Sequence, residues 1–228
     1  MNFFFKGILC SALITLSIKS YGQQYVVMQD ASGQVVSEHN YIDIEGSPYL
    51  GTEWFKGNLI LANHKTYKDI DLKYDEVKDK VFTKGVNNEL IALVDQVTEF
   101  SLKYPIMGET TSRTFRLGYP NIAGTTAASY FEVLADGKTQ LLKRSVKVVR
   151  ENKEYNSATI TRSFEESIKY YLFSNGNGTL VKNDKKSVLA VLASKQEELE
   201  RYSKDNKLNL KTDADFTKLI VYYNTLND

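Results

Sequence analysis

Two histidines, His39 and His64, and three aspartates, Asp69, Asp71 and Asp75, are the residues best suited by type to hold a metal. Zinc needs three or four ligands at set spacing, and neither HxH nor HExxH joins these histidines. Calcium needs a glycine-turned loop of oxygen ligands, whereas Lys73 stands among the aspartates on one strand face. Both sets read as solvated polar residues, so neither a metal nor a cofactor is expected. Acyl transfer needs an activated serine, and the chain lacks both GxSxG and SxxK. Ser101, Ser129 and Ser163 have no base beside them in sequence. Glu45, Glu53, Glu132, Glu165 and Glu166 could supply the paired carboxylates of a glycosidase. That pairing is a separation in space of ~5–9.5 Å, and sequence spacing singles out no pair. Gly176-Asn177-Gly178 lacks the lysine of a phosphate loop and reads as a hairpin tip. No catalytic residue is assigned.

The aromatic side chains form the remaining constellation. Tyr49, Trp54, Phe55, Tyr67 and Tyr74 cluster early, and Tyr170, Tyr171, Tyr222 and Tyr223 lie late. Exposed aromatics on a sheet stack on sugar rings or anchor a partner. Packing between strands is the competing use, because aromatics favour strands and a core without cross-links needs bulk. Tyr49, Trp54, Tyr74, Tyr170 and Tyr222 are the candidate ligand or partner contacts. Adjacent pairs such as Trp54-Phe55 and Tyr170-Tyr171 point to opposite faces of a strand, so one of each pair is expected at the surface.

The N-terminus carries the grammar of a secretory signal peptide: Lys6, an apolar run over 7–18, and Ser20 and Gly22 framing a cut before Gln23. The run is shorter than the ~20 residues of a spanning helix. Cys10 sits inside the run, ahead of Ala12, Leu13 and Leu16, rather than at its end, which argues against a lipid anchor. Removing 1–22 takes away the only cysteine, so no disulfide, thiol nucleophile or thiolate site is expected. It also leaves 27 Lys and Arg against 28 Asp and Glu. That balance lacks the concentrated positive field of a nucleic-acid binder. No later segment is apolar for long enough to cross a membrane as a helix.

The elements that must position these residues follow from periodicity. From 25 to about 181 the period is two. Tyr25 to Met28 forms a short apolar run, and Tyr41, Ile42 and Ile44 lead into the turn signal Gly46-Ser47-Pro48. Gly57-Asn58 between Trp54-Phe55 and Leu59-Ile60-Leu61 predicts a hairpin. Ile70, Leu72 and Tyr74 alternate with Asp69, Asp71, Lys73 and Asp75, the pattern of a half-buried strand. Strands are expected over 77–83, 90–94, 97–102 and 114–117, the last within a looser stretch marked by Pro105, Gly108, Gly118, Pro120 and Gly124. Asp136-Gly137 predicts a type I′ hairpin between 130–134 and 140–149, and 175–178 turns a second one. The segment 164–167 fits a strand or a helical turn. Beyond Asp184 the period changes: Val188, Val191, Leu192, Leu199 and Tyr202 share a helical face, interrupted by Lys195 and Gln196. After a break at Asp205-Asn206, Thr212 with Asp215 announces a second helix bearing Phe216, Leu219, Ile220, Tyr223 and Leu226.

The expected fold is α+β, an antiparallel β-meander or half-open barrel-like sheet followed by a C-terminal α-helical hairpin. Its parts are a signal peptide at 1–22, an antiparallel β-rich domain at 23–183, and a helical hairpin packed on the sheet at 184–228. The leader, the strand Leu72-Lys73-Tyr74-Asp75, the strand Tyr130-Phe131-Glu132-Val133-Leu134 and the terminal Tyr222-Tyr223-Asn224 resemble a family of exported Bacteroidota proteins with no established activity. That resemblance implies an envelope location and no reaction or ligand.

The resulting expectation is an exported, non-enzymatic binding or interaction protein of the bacterial cell envelope, periplasmic or at the surface, whose partner is a protein, a glycan or an apolar ligand. One alternative, a carrier of an apolar ligand, requires an enclosed void between sheet and helices. The other, a glycan hydrolase, requires two close carboxylates in a groove, one of them with a raised pKa.

Overall fold

The computed structural model describes residues 33–36, 41–106, 108–153 and 160–226. The expected signal peptide, the run Tyr25 to Met28 and His39 lie outside the described residues. Eleven strands form one antiparallel sheet: β1 (Gly33–Val36), β2 (Phe55–Leu61), β3 (Thr66–Asp75), β4 (Lys80–Lys84), β5 (Leu90–Leu93), β6 (Val97–Ile106), β7 (Glu109–Arg116), β8 (Phe131–Ala135), β9 (Thr139–Lys153), β10 (Ile160–Ser174) and β11 (Asn177–Val181). Their order is β1-β5-β4-β3-β2-β6-β7-β8-β9-β10-β11, an open sheet that is largely a meander. Helices α1 (Lys185–Val191), α2 (Gln196–Asp205) and α3 (Asp213–Thr225) follow. The α+β reading, with its meander-like sheet and C-terminal helices, is the fold observed.

Four sequence expectations are corrected. Gly57-Asn58 is not a turn but the bulged middle of β2, with a register shift between Gly57 and Leu59. A Cβ at Gly57 would fall 2.0 Å from the Ser101 carbonyl oxygen, so glycine is there to let two strands touch. Residues 77–79 turn rather than extend the next strand, because the Asp75 carboxylate accepts the N–H groups of Val77 and Lys78 and Asp79 takes φ +56°. Tyr41 to Ile44 is turn and coil, with Asp43 at φ +61°. The Asp136-Gly137 turn is not type I′, since only Gly137 has positive φ. That geometry is found instead at Asn175-Gly176, with φ of +52° and +77° between paired Ser174 and Asn177.

Strands β6 and β7 are longer than expected and form one hairpin through the supposed looser region. Pro105 lies beyond the stretch of β6 that pairs with β2, where the strand has a single neighbour. Residues 164–167 are strand throughout. The first expected helix is split into α1 and α2 by a 3₁₀ turn over Ala193–Lys195, where the apolar stripe is interrupted. Asp184 caps α1 by accepting the Ser187 N–H, and Thr212 caps α3 by accepting the Asp215 N–H.

The sheet rolls. Six strands separate β3 from β9 when both ends are counted (β3-β2-β6-β7-β8-β9), yet the turn after β3 returns to β9. The Lys147 N–H donates to the Glu76 carbonyl, and Arg144 pairs with Asp79 at 2.8 Å. Inside the roll, Leu59, Leu72, Tyr74, Phe100, Leu102, Phe115 and Tyr130 pack together. Phe100 and Phe115 stack with centroids 4.8 Å apart, and Tyr74 and Tyr130 stand against them. Strands β8 to β11 are covered on both faces instead. The helices seal Leu141, Tyr170 and Leu172 with Leu199, Phe216 and Leu219. On the opposite face, Tyr119 and Ile122 from the β7–β8 connection close over Phe131, Leu142 and Tyr171.

Candidate functional site

The inner face of the roll carries a belt of charge between its aromatic interior and the helix-covered half. Glu132 on β8 accepts two bonds from Arg113 on β7, at 2.6 and 2.7 Å, with the two side chains 8% and 14% exposed. Lys143 on β9 pairs with Asp213 at the start of α3 at 2.6 Å, and Tyr170 donates to the same carboxylate. Lys147 pairs with Glu76 at 3.0 Å and donates to the carbonyls of Ser47 and Tyr49. Glu76 is buried, and its Oε1 has no hydrogen-bond partner among the described residues. Burial alone would lower the Arg113 pKa, but its bonds to Glu132 raise it overall. Members of each pair lie 19 to 71 residues apart, so no local motif could have revealed them.

The belt joins the parts of the fold. A buried pair of this kind costs several kcal/mol to desolvate and fixes geometry more than it adds stability. Asp75, expected on a solvated strand face, belongs to the same buried system. It is 1% exposed and accepts the Tyr41 hydroxyl at 2.8 Å, because residues 41–50 fold over it. Asp69 is exposed and paired with Lys103, and Asp71 is half-buried and paired with Lys56. Among the described residues no group of three or more His, Cys, Asp and Glu could hold a metal. The carboxylates with a displaced pKa, Asp69, Asp136 and Glu198, are all lowered.

The five aromatic candidates fall in three places. Tyr49 and Trp54 come together on the outer face over β3 to β5, with Phe82 and Leu90 beneath. The Lys73 ammonium lies 4.4 Å from the Tyr49 ring and 5.5 Å from the Trp54 ring, and Lys84 approaches Trp54 as well. Tyr74 is inside the roll, its hydroxyl donating to Asp79 at 2.6 Å. Burial raises its pKa well above the ordinary tyrosine value. Tyr170 is buried against Phe216. Tyr222 stacks on Tyr202 with centroids 3.9 Å apart, holding α3 to α2. The expectation that Tyr170 or Tyr171 reaches the surface is overturned, for both are buried. A strand covered on two faces hides both members of an adjacent pair.

A different region stands open. Residues 165–169 of β10 are all exposed, although they continue a strand whose next three residues, 170–172, are buried. Beside them is a cleft of about 420 Å³ lined by Ile168, Lys169, Tyr170, Leu180, Val181, Lys182 and Asn183. Ile168 and Leu180 are 44% and 45% exposed. The sequence pattern left 164–167 undecided between strand and helix, and edge exposure has no signal in periodicity. Smaller clefts lie between β4, β5 and Tyr130 (about 210 Å³) and on the polar outer face of β2 and β6 (about 240 Å³). A further one of about 480 Å³ lies on α1 and α2. No known protein family, curated protein or solved structure matches this chain.

Proposed function

We propose that this chain is an exported binding or interaction protein of the bacterial cell envelope, and that it works by presenting the surface of a rigid sheet to a partner. The observation that carries the reading is the open middle of β10, where five successive strand residues are exposed beside a cleft bearing apolar side chains. Exposed strand backbone next to apolar surface is a feature that monomeric folds ordinarily cover. The filled interior of the roll supports surface recognition over carriage of an apolar ligand, since Tyr74, Phe100, Phe115 and Tyr130 occupy the space such a ligand would need. Export is supported by Lys6, the apolar run after it and the Ser20–Gly22 exit.

The test is fractionation of cells producing the full chain, with crosslinking in place before lysis. The reading expects a product beginning at Gln23, outside the cytoplasm, that crosslinks to a discrete envelope component. An uncleaved chain in the cytosol would overturn it.

A further inference from the structure

Resting on that reading and narrowing it, we infer that β10 accepts one short extended segment of another polypeptide as an added strand, over residues 165–169. The direction of the backbone shows why. Glu45 bridges β10 in parallel at Ser163: its N–H donates to the Arg162 carbonyl, and its carbonyl accepts the Phe164 N–H. Even-numbered residues of β10 therefore aim their backbone groups away from β9, and Tyr170, opposite Val181, begins the pairing with β11. Because a strand alternates, the N–H and C=O of Glu166 and Ile168 aim at the same edge. Glu45 covers that edge on one side and β11 on the other. Between them, among the described residues, nothing pairs with these four groups.

A polypeptide backbone is the ligand that satisfies alternating donors and acceptors at strand spacing. The open length is five residues, about 17 Å at ~3.3 Å per residue. A second copy cannot supply its own β10 antiparallel at this site, because that strand has 15 residues and would run into β11. The occupant is thus a short segment that enters and leaves the edge. Its side chains are set by the cleft. Ile168 and Leu180 offer apolar surface, while Lys169 and Lys182 are the charged residues among those lining the cleft. The nearby Glu165 and Glu166 are engaged within the hairpin, by Arg150 and Ser145. An apolar residue flanked by acids is the complementary sequence.

The probes are two blocked pentapeptides, acetyl-Asp-Val-Ile-Val-Asp-amide and acetyl-Lys-Val-Ile-Val-Lys-amide, titrated into the mature chain and followed by amide NMR and hydrogen exchange. The acidic peptide is expected to slow exchange at Glu166 and Ile168 and to bind about tenfold more tightly than the basic one, a preference that salt weakens. I168P removes an N–H that aims outward and leaves the β9 ladder whole, so it should abolish this binding. Should that variant fail to fold, the double variant K169E/K182E should reverse the preference between the peptides. Absence of protection with either peptide, equal binding of both, or shifts confined to another surface would each overturn the site. An envelope crosslink that survives I168P would overturn this site alone and leave export and partner binding standing.

Discussion

The two halves of the sheet bury their side chains by different means. Strands β2, β3, β6 and β7 bury one face chiefly by the curvature of the sheet, while β4 is covered on its outer face as well, by Tyr49 and Trp54 over Phe82 and Leu90. Ile70, Leu72 and Tyr74 are buried, while Asp69 and Asp71 pair with surface lysines. Where β8 and the adjoining parts of β9 and β10 lie between the helices and the β7–β8 connection, both faces are filled, and Tyr170, Tyr171 and Leu172 are buried in succession. A rolled sheet preserves alternation in its sequence, whereas a sandwiched one erases it. The charge belt sits buried at the join between the two kinds of cover.

The largest effects should come from removing the bulk that defines each half. Phe100→Ala in the roll and Phe216→Ala under the helices should each cost about 3–5 kcal/mol in chemical denaturation. The comparison sharpens if the losses differ in kind. Phe216→Ala should free α1 to α3 from hydrogen-exchange protection and leave β2 to β6 protected, while Phe100→Ala should weaken the roll. Identical exchange patterns for the two variants would mean that the halves are one undivided unit.

Next in size is the join. Glu132→Ala strands Arg113 in a buried setting and should cost about 3–5 kcal/mol, as broken buried pairs do. Arg150–Glu165, on the exposed part of the β9–β10 hairpin, is 63% and 61% exposed, and Arg150→Ala should cost ~1 kcal/mol or less. Equal costs for these two variants would remove the distinction between belt and surface.

Alkali should act on both halves. Burial raises the pKa of Tyr74 and Tyr130 in the roll and of Tyr170 under the helices. A folded-state pKa raised above the unfolded value, near 10, means that the folded protein keeps protons the unfolded chain gives up. Stability from these groups is therefore whole below about pH 10 and falls as pH rises toward the folded values. The part of the tyrosinate absorbance that Tyr74→Phe, Tyr130→Phe and Tyr170→Phe remove should accordingly appear together with unfolding, and its appearance in a chain that keeps its circular dichroism would contradict the burial of these hydroxyls. A small effect is likewise expected at the α3 cap, where Thr212→Ala should cost about 1 kcal/mol of thermal stability.

What the sequence disclosed follows from the same contrast. The strand 70–74 and the α3 stripe with its Thr212 cap were legible because each depends on residues within one or two turns of one another, whereas the interruption at Lys195 and Gln196 was visible but not the division of the helix that it marks. Gly57 misled, since a glycine that admits a neighbouring strand looks like one that makes a turn until the neighbour, Ser101, is known. The pairs Arg113–Glu132 and Lys143–Asp213 were silent, being local to nothing. The open edge was hidden for a different reason: it depends on where β11 and Glu45 stop, which residues 165–169 do not encode.

Amide hydrogen exchange along β10 in the free protein tests the central claim most directly. Glu166 and Ile168 should exchange rapidly, and Glu165, Ser167 and Lys169, whose N–H groups aim at β9, should be protected. Uniform protection of all five would show the edge already covered and contradict the account.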